Sequence, residues 1–269
     1  LTTGDGFFEF GWCKFSYDET VAEWIHHSID AARDCVSDTQ NAHWFRYQNT
    51  WFAGVNVLGN DKRGAVPGGI ALGGKAIEFI GENLGLTDIE WDAAQVSVIY
   101  PGYPKPSDKE SEAAFHYRLH RDAAHVDGIQ HKGVQRRRFL GETHAFVLGV
   151  PMVETSPGAG PLVVWQGSHE IVRRTFVEAF GDIPSEQWST VDVTEIYQAM
   201  RRRIFQSCPR IEVWTRPGET YLIHRLSLHG MAGWPNEEAH SLDGRTLDGR
   251  MICYFRPNIL SPQQWLFRQ

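Results

Sequence analysis

The 269 residues carry 26 Lys and Arg against 33 Asp and Glu, a net charge of −7, with 42% hydrophobic and 22% charged residues. That composition suits a soluble globular chain long enough for one full hydrophobic core, and its acidic balance argues against general binding to nucleic acid. Cys13, Cys35, Cys208 and Cys253 are widely spaced without a CxxC pair, which argues against a disulfide framework or a structural zinc site.

No apolar run approaches the ~18 residues needed to span a bilayer. The first residues, Leu1-Thr2-Thr3-Gly4, show neither a charged nor an apolar leader pattern, so a cytoplasmic location is the expectation. The 10 Trp residues point either to a thick aromatic core or to an aromatic-lined pocket.

The N-terminal part, about residues 1–90, reads as helix-rich. Asp18 can cap a helix in which Val21, Trp24, Ile25, Ile29 and Ala32 form one apolar face. A second helix is predicted over 71–84, with Ile77, Ile80 and Leu84 on one side and Gly85 as its stop. Between them, Trp51-Phe52-Ala53-Gly54-Val55-Asn56 reads as an apolar strand with one amide. Trp51 and Asn56 are candidate pocket residues, with ordinary core as the alternative.

From residue 95 onward short β-rich runs alternate with Gly and Pro turns: 95–100, 144–150, 161–165, 211–215, 220–223 and 251–255. Helical stretches at 171–180 and 194–205 interrupt the series. The pattern predicts a mainly β chain, a double-stranded β-helix (jelly-roll, cupin-like) core over about 95–257 with flanking α-helices. No repeat divides it, so residues 1–269 are expected to form a single domain.

Chemistry first shows in Ala124-His125-Val126-Asp127-Gly128. Side chains at i and i+2 of a strand share a face, so His125 and Asp127 can offer an imidazole and a carboxylate to one ion. Leu228-His229-Gly230 supplies a distant third candidate. Two His and one carboxylate with open positions opposite are the ligand set of iron(II) oxygenases.

These pieces recur in order. Together with Gly160-Pro161-Leu162-Val163-Val164-Trp165-Gln166-Gly167-Ser168-His169, Arg216-Pro217-Gly218-Glu219 and a basic residue before the last strand, they make the chain resemble the phytanoyl-CoA dioxygenase family. The resemblance covers roughly residues 95–257. It implies Fe(II) on His125, Asp127 and His229, with 2-oxoglutarate and O2 as cosubstrates. It also implies an arginine after the distal His for the 2-oxoglutarate C5 carboxylate. Arg250, just before 251–255, is the expected residue, with Arg245 and Arg256 as alternatives because the interval after Gly230 is long for the family.

The implied activity is hydroxylation of an unactivated C–H bond of a small molecule, with release of succinate and CO2. Asp127 favours hydroxylation over halogenation, since related halogenases replace that carboxylate by a small residue. The alternative is a non-catalytic or 2-oxoglutarate-independent cupin-like metal-binding protein.

Other charged and polar residues find their place around this scheme. The run Arg136-Arg137-Arg138 follows the metal segment and makes Arg137 a candidate for an anionic substrate group, with a solvated loop as the alternative. Arg201-Arg202-Arg203 complements a helix C-terminus. His116 and His120 are expected to face solvent, His224 to lie in the core, and Gly167-Ser168-His169 to brace the barrel.

Overall fold

The computed structural model describes residues 6–235 and 249–268. From the N-terminus, α1 (Gly6–Phe10) leads into β1 (Trp12–Phe15) and α2 (Glu19–Ser37). Strands β2 (Phe45–Arg46) and β3 (Trp51–Gly54) precede α3 (Lys75–Leu84) and β4 (Gln95–Ile99). Then come α4 (Glu112–Arg121), the pair β5 (Ile129–Lys132) and β6 (Arg137–Leu140), β7 (Phe146–Pro151) and β8 (Leu162–Trp165). Helices α5 (Ser168–Phe180) and α6 (Thr194–Ser207) separate these from β9 (Arg210–Val213), β10 (Thr220–His224), β11 (His229–Met231), β12 (Arg250–Phe255) and α7 (Pro262–Phe267).

The strands pair antiparallel. The larger sheet runs β1-β10-β7-β12-β4-β3-β2 and the smaller β11-β8-β9. Alternation decides which side chains go where. Val147, Tyr221, Ile223, Ile252 and Tyr254 of the larger sheet meet Leu162, Val164 and Val213 of the smaller one in a buried cluster, so the two sheets face each other as a jelly roll. The alternate residues of the same sheet, among them Val96, Leu148, Leu222 and Cys253, point outward into a second cluster with Trp24, Ile80, Phe176 and Trp265 from the helices. Trp24 and Trp265 are fully buried, each contributing on the order of 3 kcal/mol by area; the Trp24 indole N–H keeps a partner, donating to Gly64 O at 2.8 Å.

The strand series from residue 95 appears as expected, within two residues at each end. The N-terminal part is less helical than expected, because it adds β1, β2 and β3 to the larger sheet. Helix α3 also starts at Lys75, later than the apolar spacing suggests. Asp18 explains the start: Oδ1 accepts from Thr20 N to cap α2, while Oδ2 accepts from Lys75 N, both at 2.9 Å. One carboxylate thus begins two helices, and Gly85 in the left-handed region ends the second. Cys13, Cys35, Cys208 and Cys253 are all free. No helix among the described residues is long and apolar enough to cross a membrane.

Candidate metal centre

The chain between α4 and β5 turns through two consecutive left-handed residues, Asp122 and Ala123, both at φ 52°. His125 then forms a single antiparallel bridge with His229. His125 N donates to His229 O at 2.8 Å, and His229 N donates to His125 O at 3.0 Å. The HxD segment is therefore a bridge rather than the strand expected from alternation, because Gly128 at φ 85° turns the chain directly afterwards. The alternation itself holds. Val126 points into the helical core, and its N–H donates to the Tyr197 hydroxyl at 3.1 Å.

His125 Nε2 lies 3.2 Å from Asp127 Oδ1 and His229 Nε2 lies 3.8 Å from the same oxygen. All three potential ligand atoms fall within 4.8 Å of one another. Each imidazole is oriented from behind: His125 Nδ1 is 3.1 Å from Ala123 O and His229 Nδ1 is 3.0 Å from Ser227 O. A carbonyl only accepts, so Nδ1 carries the proton and the Nε2 lone pairs converge with the carboxylate.

The electrostatics suit the same use. Burial drives His229 down to about 4, keeping it neutral. Burial alone would raise the Asp127 carboxyl, but His125 at hydrogen-bond distance and the Arg256 guanidinium hold it well below the usual carboxylate range. Asp127 Oδ2 is buried without a hydrogen-bond partner, with Arg256 Nη1 at 3.6 Å. Two imidazoles aimed by their Nε2 atoms, an ionised carboxylate and an orphaned buried oxygen are what a divalent cation needs.

The triad opens onto a cavity of about 360 Å³. Its inner wall carries Val147, Leu162, Met231 and Tyr254; its outer wall is aromatic, with Trp44, Tyr47, Trp51 and Tyr103. The tryptophans thus serve both core and pocket. Trp51 lines the cavity. Asn56 does not: it lines a neighbouring polar cavity of about 190 Å³ that shares Val55, Tyr254 and Arg256 with the first.

Arg137 is also absent from this lining. It lies on β6, where its guanidinium pairs with Asp192 at 2.5 Å and Glu195 at 3.3 Å, so surface carboxylates take the charge expected to meet a substrate.

Arg250 begins β12 and is buried. It faces the space between the sheets: Nη1 approaches Met231 Sδ at 3.4 Å, and the guanidinium hydrogen-bonds the hydroxyls of Tyr221 and Tyr254. Those hydroxyls are 3.0 Å apart. Tyr221 reaches them by crossing Gly149, where a Cβ would come within 2.2 Å of its ring. Arg256 lies at Asp127 instead, and Arg245 lies outside the described residues.

Sequence reasoning missed Tyr254, Tyr221 and the half-buried pair Asp122–Arg210. Alternation along β12 from Arg250 is the signal that exposes Tyr254. Nothing local links Asp122 to Arg210, 88 residues away.

His116 and His120 are exposed on α4 with their rings stacked at 5.6 Å. His224 is buried beside Phe7 and His169. Ser168 does brace the barrel, its Oγ accepting from Leu228 N at 2.9 Å.

No protein-family model matches the chain, and no curated protein matches it. Solved structures similar to it include the epimerase SnoN in complex with Fe3+, alpha ketoglutarate and nogalamycin RO, at TM-score 0.48 and 13% identity, covering 94% of this chain and 80% of that one. AviO1 from Streptomyces viridochromogenes Tue57 aligns at TM-score 0.47 and 11% identity, over 96% of this chain and 95% of its own. EctD from S. alaskensis with 2-oxoglutarate and 5-hydroxyectoine aligns at TM-score 0.43 and 16% identity, over 95% and 75%.

Proposed function

We propose that the chain is a single-domain Fe(II)- and 2-oxoglutarate-dependent dioxygenase of the phytanoyl-CoA dioxygenase type that hydroxylates a C–H bond of a small molecule. The observation that carries this reading is the convergence of His125 Nε2, Asp127 Oδ1 and His229 Nε2 on a cavity whose lining residues Met231 and Tyr254 contact the buried Arg250.

In this reading His125, Asp127 and His229 hold iron on one face and leave the cavity side open. With 2-oxoglutarate and O2, bound iron supplies the oxidation of a C–H bond to an alcohol, with release of succinate and CO2. The chain does the rest. Ala123 O and Ser227 O fix both imidazoles in the tautomer that presents Nε2. Arg256 neutralises the outer oxygen of Asp127 and keeps it ionised.

Arg250, held between Tyr221 and Tyr254, offers a planar cation to the distal carboxylate of 2-oxoglutarate. Its burial strengthens that interaction, since water does not screen it. Val147, Leu162 and Met231 keep the inner wall apolar.

The test is anaerobic titration with Fe(II) and then 2-oxoglutarate. A weak visible charge-transfer band is expected, absent in His125→Ala and Asp127→Ala and weakened in Arg250→Gln through loss of cosubstrate affinity. A full-strength band in the first two variants sinks the metal assignment. Bound iron without any band sinks the 2-oxoglutarate assignment and favours a cosubstrate-independent metal protein.

A further inference from the structure

Four residues stand in one row across four strands of the larger sheet. Arg46 on β2 pairs with Trp51 on β3, Trp51 with Ile99 on β4, and Ile99 with Arg250 on β12. Residues directly opposite in an antiparallel ladder share a face, so all four look towards the smaller sheet and its metal triad. Three strand spacings separate the two arginines, roughly 14 Å between Cα atoms. One cation is thus buried at the inner end of the row, and the other stands at the sheet edge beside the pocket's aromatic wall.

The two ends differ in how their charge is used. Arg250 is enclosed by tyrosine hydroxyls. Arg46 donates Nη1 to the carbonyls of His43 and Phe45, and its guanidinium lies over the Trp44 ring at 5.6 Å. Among the described residues its Nε and Nη2 donors have no partner and no carboxylate pairs with it, yet it lines the cavity.

The acids in that lining are already occupied. Both oxygens of Asp122 accept from Arg210 at 2.8 Å, and Asp127 belongs to the triad. Arg256 is matched to Asp127. Arg46 is therefore the cation of the described lining with which no described carboxylate pairs.

Trp51 lies between that cation and the row's centre, and its ring is fixed. Its indole N–H donates to Ser97 Oγ at 3.0 Å. Tyr47 lies nearly parallel to it, at 10° and 5.9 Å between centroids, and Tyr103 meets it edge-on at 67°. A pre-ordered ring costs no side-chain entropy when another flat body packs on it.

We propose that the pocket takes a substrate with a flat unsaturated ring and an anionic group, the ring against Trp51 and the anion on Arg46. This rests on the oxygenase reading above. A cationic substrate finds no free carboxylate in the described lining, and a wholly apolar one leaves the Arg46 donors desolvated without a partner.

The test uses protein loaded with Fe(II) and 2-oxoglutarate under argon, titrated calorimetrically with indole-3-acetate, indole-3-acetamide, tryptamine and cyclohexylacetate. Indole-3-acetate is expected to bind roughly ten-fold or more tighter than each of the others, the scale of a charge-assisted hydrogen bond. The charge-transfer band is expected to persist, showing that the acid has not taken the cosubstrate's place.

Arg46→Gln is expected to abolish the preference for acid over amide. Arg46→Lys, which keeps the charge if the hairpin tolerates glutamine poorly, is expected to retain part of it. Equal affinity for acid and amide, equal affinity for cyclohexylacetate, no measurable binding of indole-3-acetate, an unchanged preference in Arg46→Gln, or displacement of 2-oxoglutarate each overturns the proposal. A missing band overturns the cosubstrate reading instead, while the ring-and-charge preference is still read from the heats.

Discussion

Arg210 offers the sharpest test of how the candidate metal centre is held. Its Nε and Nη2 grip both oxygens of Asp122 at 2.8 Å, where Asp122 is 8% exposed at its side chain and Arg210 40%. Breaking a fully buried pair costs about 3–5 kcal/mol and an exposed one about 0–1 kcal/mol, so this half-buried pair is placed at about 2 kcal/mol. Against it stand two non-glycine residues in the left-handed region, Asp122 and Ala123, at about 1 kcal/mol each. The clamp and the strain it holds are of similar size.

Arg210→Ala is therefore expected to lower the melting temperature by roughly 4–8 °C and to let the turn before His125 relax. Displacing one ligand is expected to weaken Co(II) or Fe(II) binding about 10–100-fold. Adding Ala123→Gly, which removes the steric cost of a positive φ, is expected to restore part of the metal affinity. Circular dichroism and metal titration read the two effects separately. Unchanged metal affinity in Arg210→Ala, or no recovery on adding the glycine, refutes the argument that this pair holds His125 in place.

Two further outcomes follow from the structure. Burial, with Arg225, His169 and Arg173 nearby, holds His224 well below its ordinary value, and burial lowers His169 as well. Both bind fewer protons folded than unfolded, so stability from them is complete above about pH 6.5 and is lost below it by up to about 1.4 kcal/mol per unit each. Urea midpoints are expected to fall from pH 7 to pH 5, and His224→Asn is expected to flatten that slope; an equal slope refutes the assignment. A Cβ at Gly230 would lie 2.1 Å from the Asp122 carbonyl oxygen, whereas one at Gly59 meets nothing within 4 Å. Gly230→Ala is expected to push His125 away from His229 and cut metal affinity more than about ten-fold, with Gly59→Ala as the neutral comparison; retained affinity in Gly230→Ala shows that the close approach is dispensable.

Much of this was legible because strand periodicity is local. The β-rich runs, the same-side relation of His125 and Asp127 and the position of Arg250 at the head of β12 all follow from patterns within a few residues. What sequence concealed was set at long range. Strand β2 has two residues, too few to show alternation, yet it carries Arg46 into the pocket. The turn that brings the chain back to Trp51 runs through Tyr47, Gln48 and Asn49, all at positive φ, without a glycine to announce it. Asn56 also takes a positive φ and lies beyond the end of β3 at Gly54, so it does not continue the strand that carries Trp51. Arg137 illustrates the converse, since its neighbours in sequence are basic and its partners, Asp192 and Glu195, come from the start of α6 more than fifty residues on.

The position of His229 shows what the flanking helices contribute. Five residues separate it from His224, and on a continuous strand the two would face opposite ways. Instead the chain leaves the larger sheet after β10 and enters the smaller one at β11, so residues 225–228 form a buried crossover. Three of its polar groups are held by different remote elements. Arg225 donates to the carbonyls of Gln264, Trp265 and Arg268 at the end of α7, filling acceptors that a helix C-terminus leaves open. Ser227 Oγ donates to Gly11 O beside α1 at 2.7 Å, and Leu228 N donates to Ser168 Oγ at the start of α5. The carbonyl of Ser227 is then the acceptor that orients His229 Nδ1. Helices from both ends of the chain thereby fix the crossover that aims the second imidazole, which explains why a site built on sheet strands depends on segments the β-rich core does not contain.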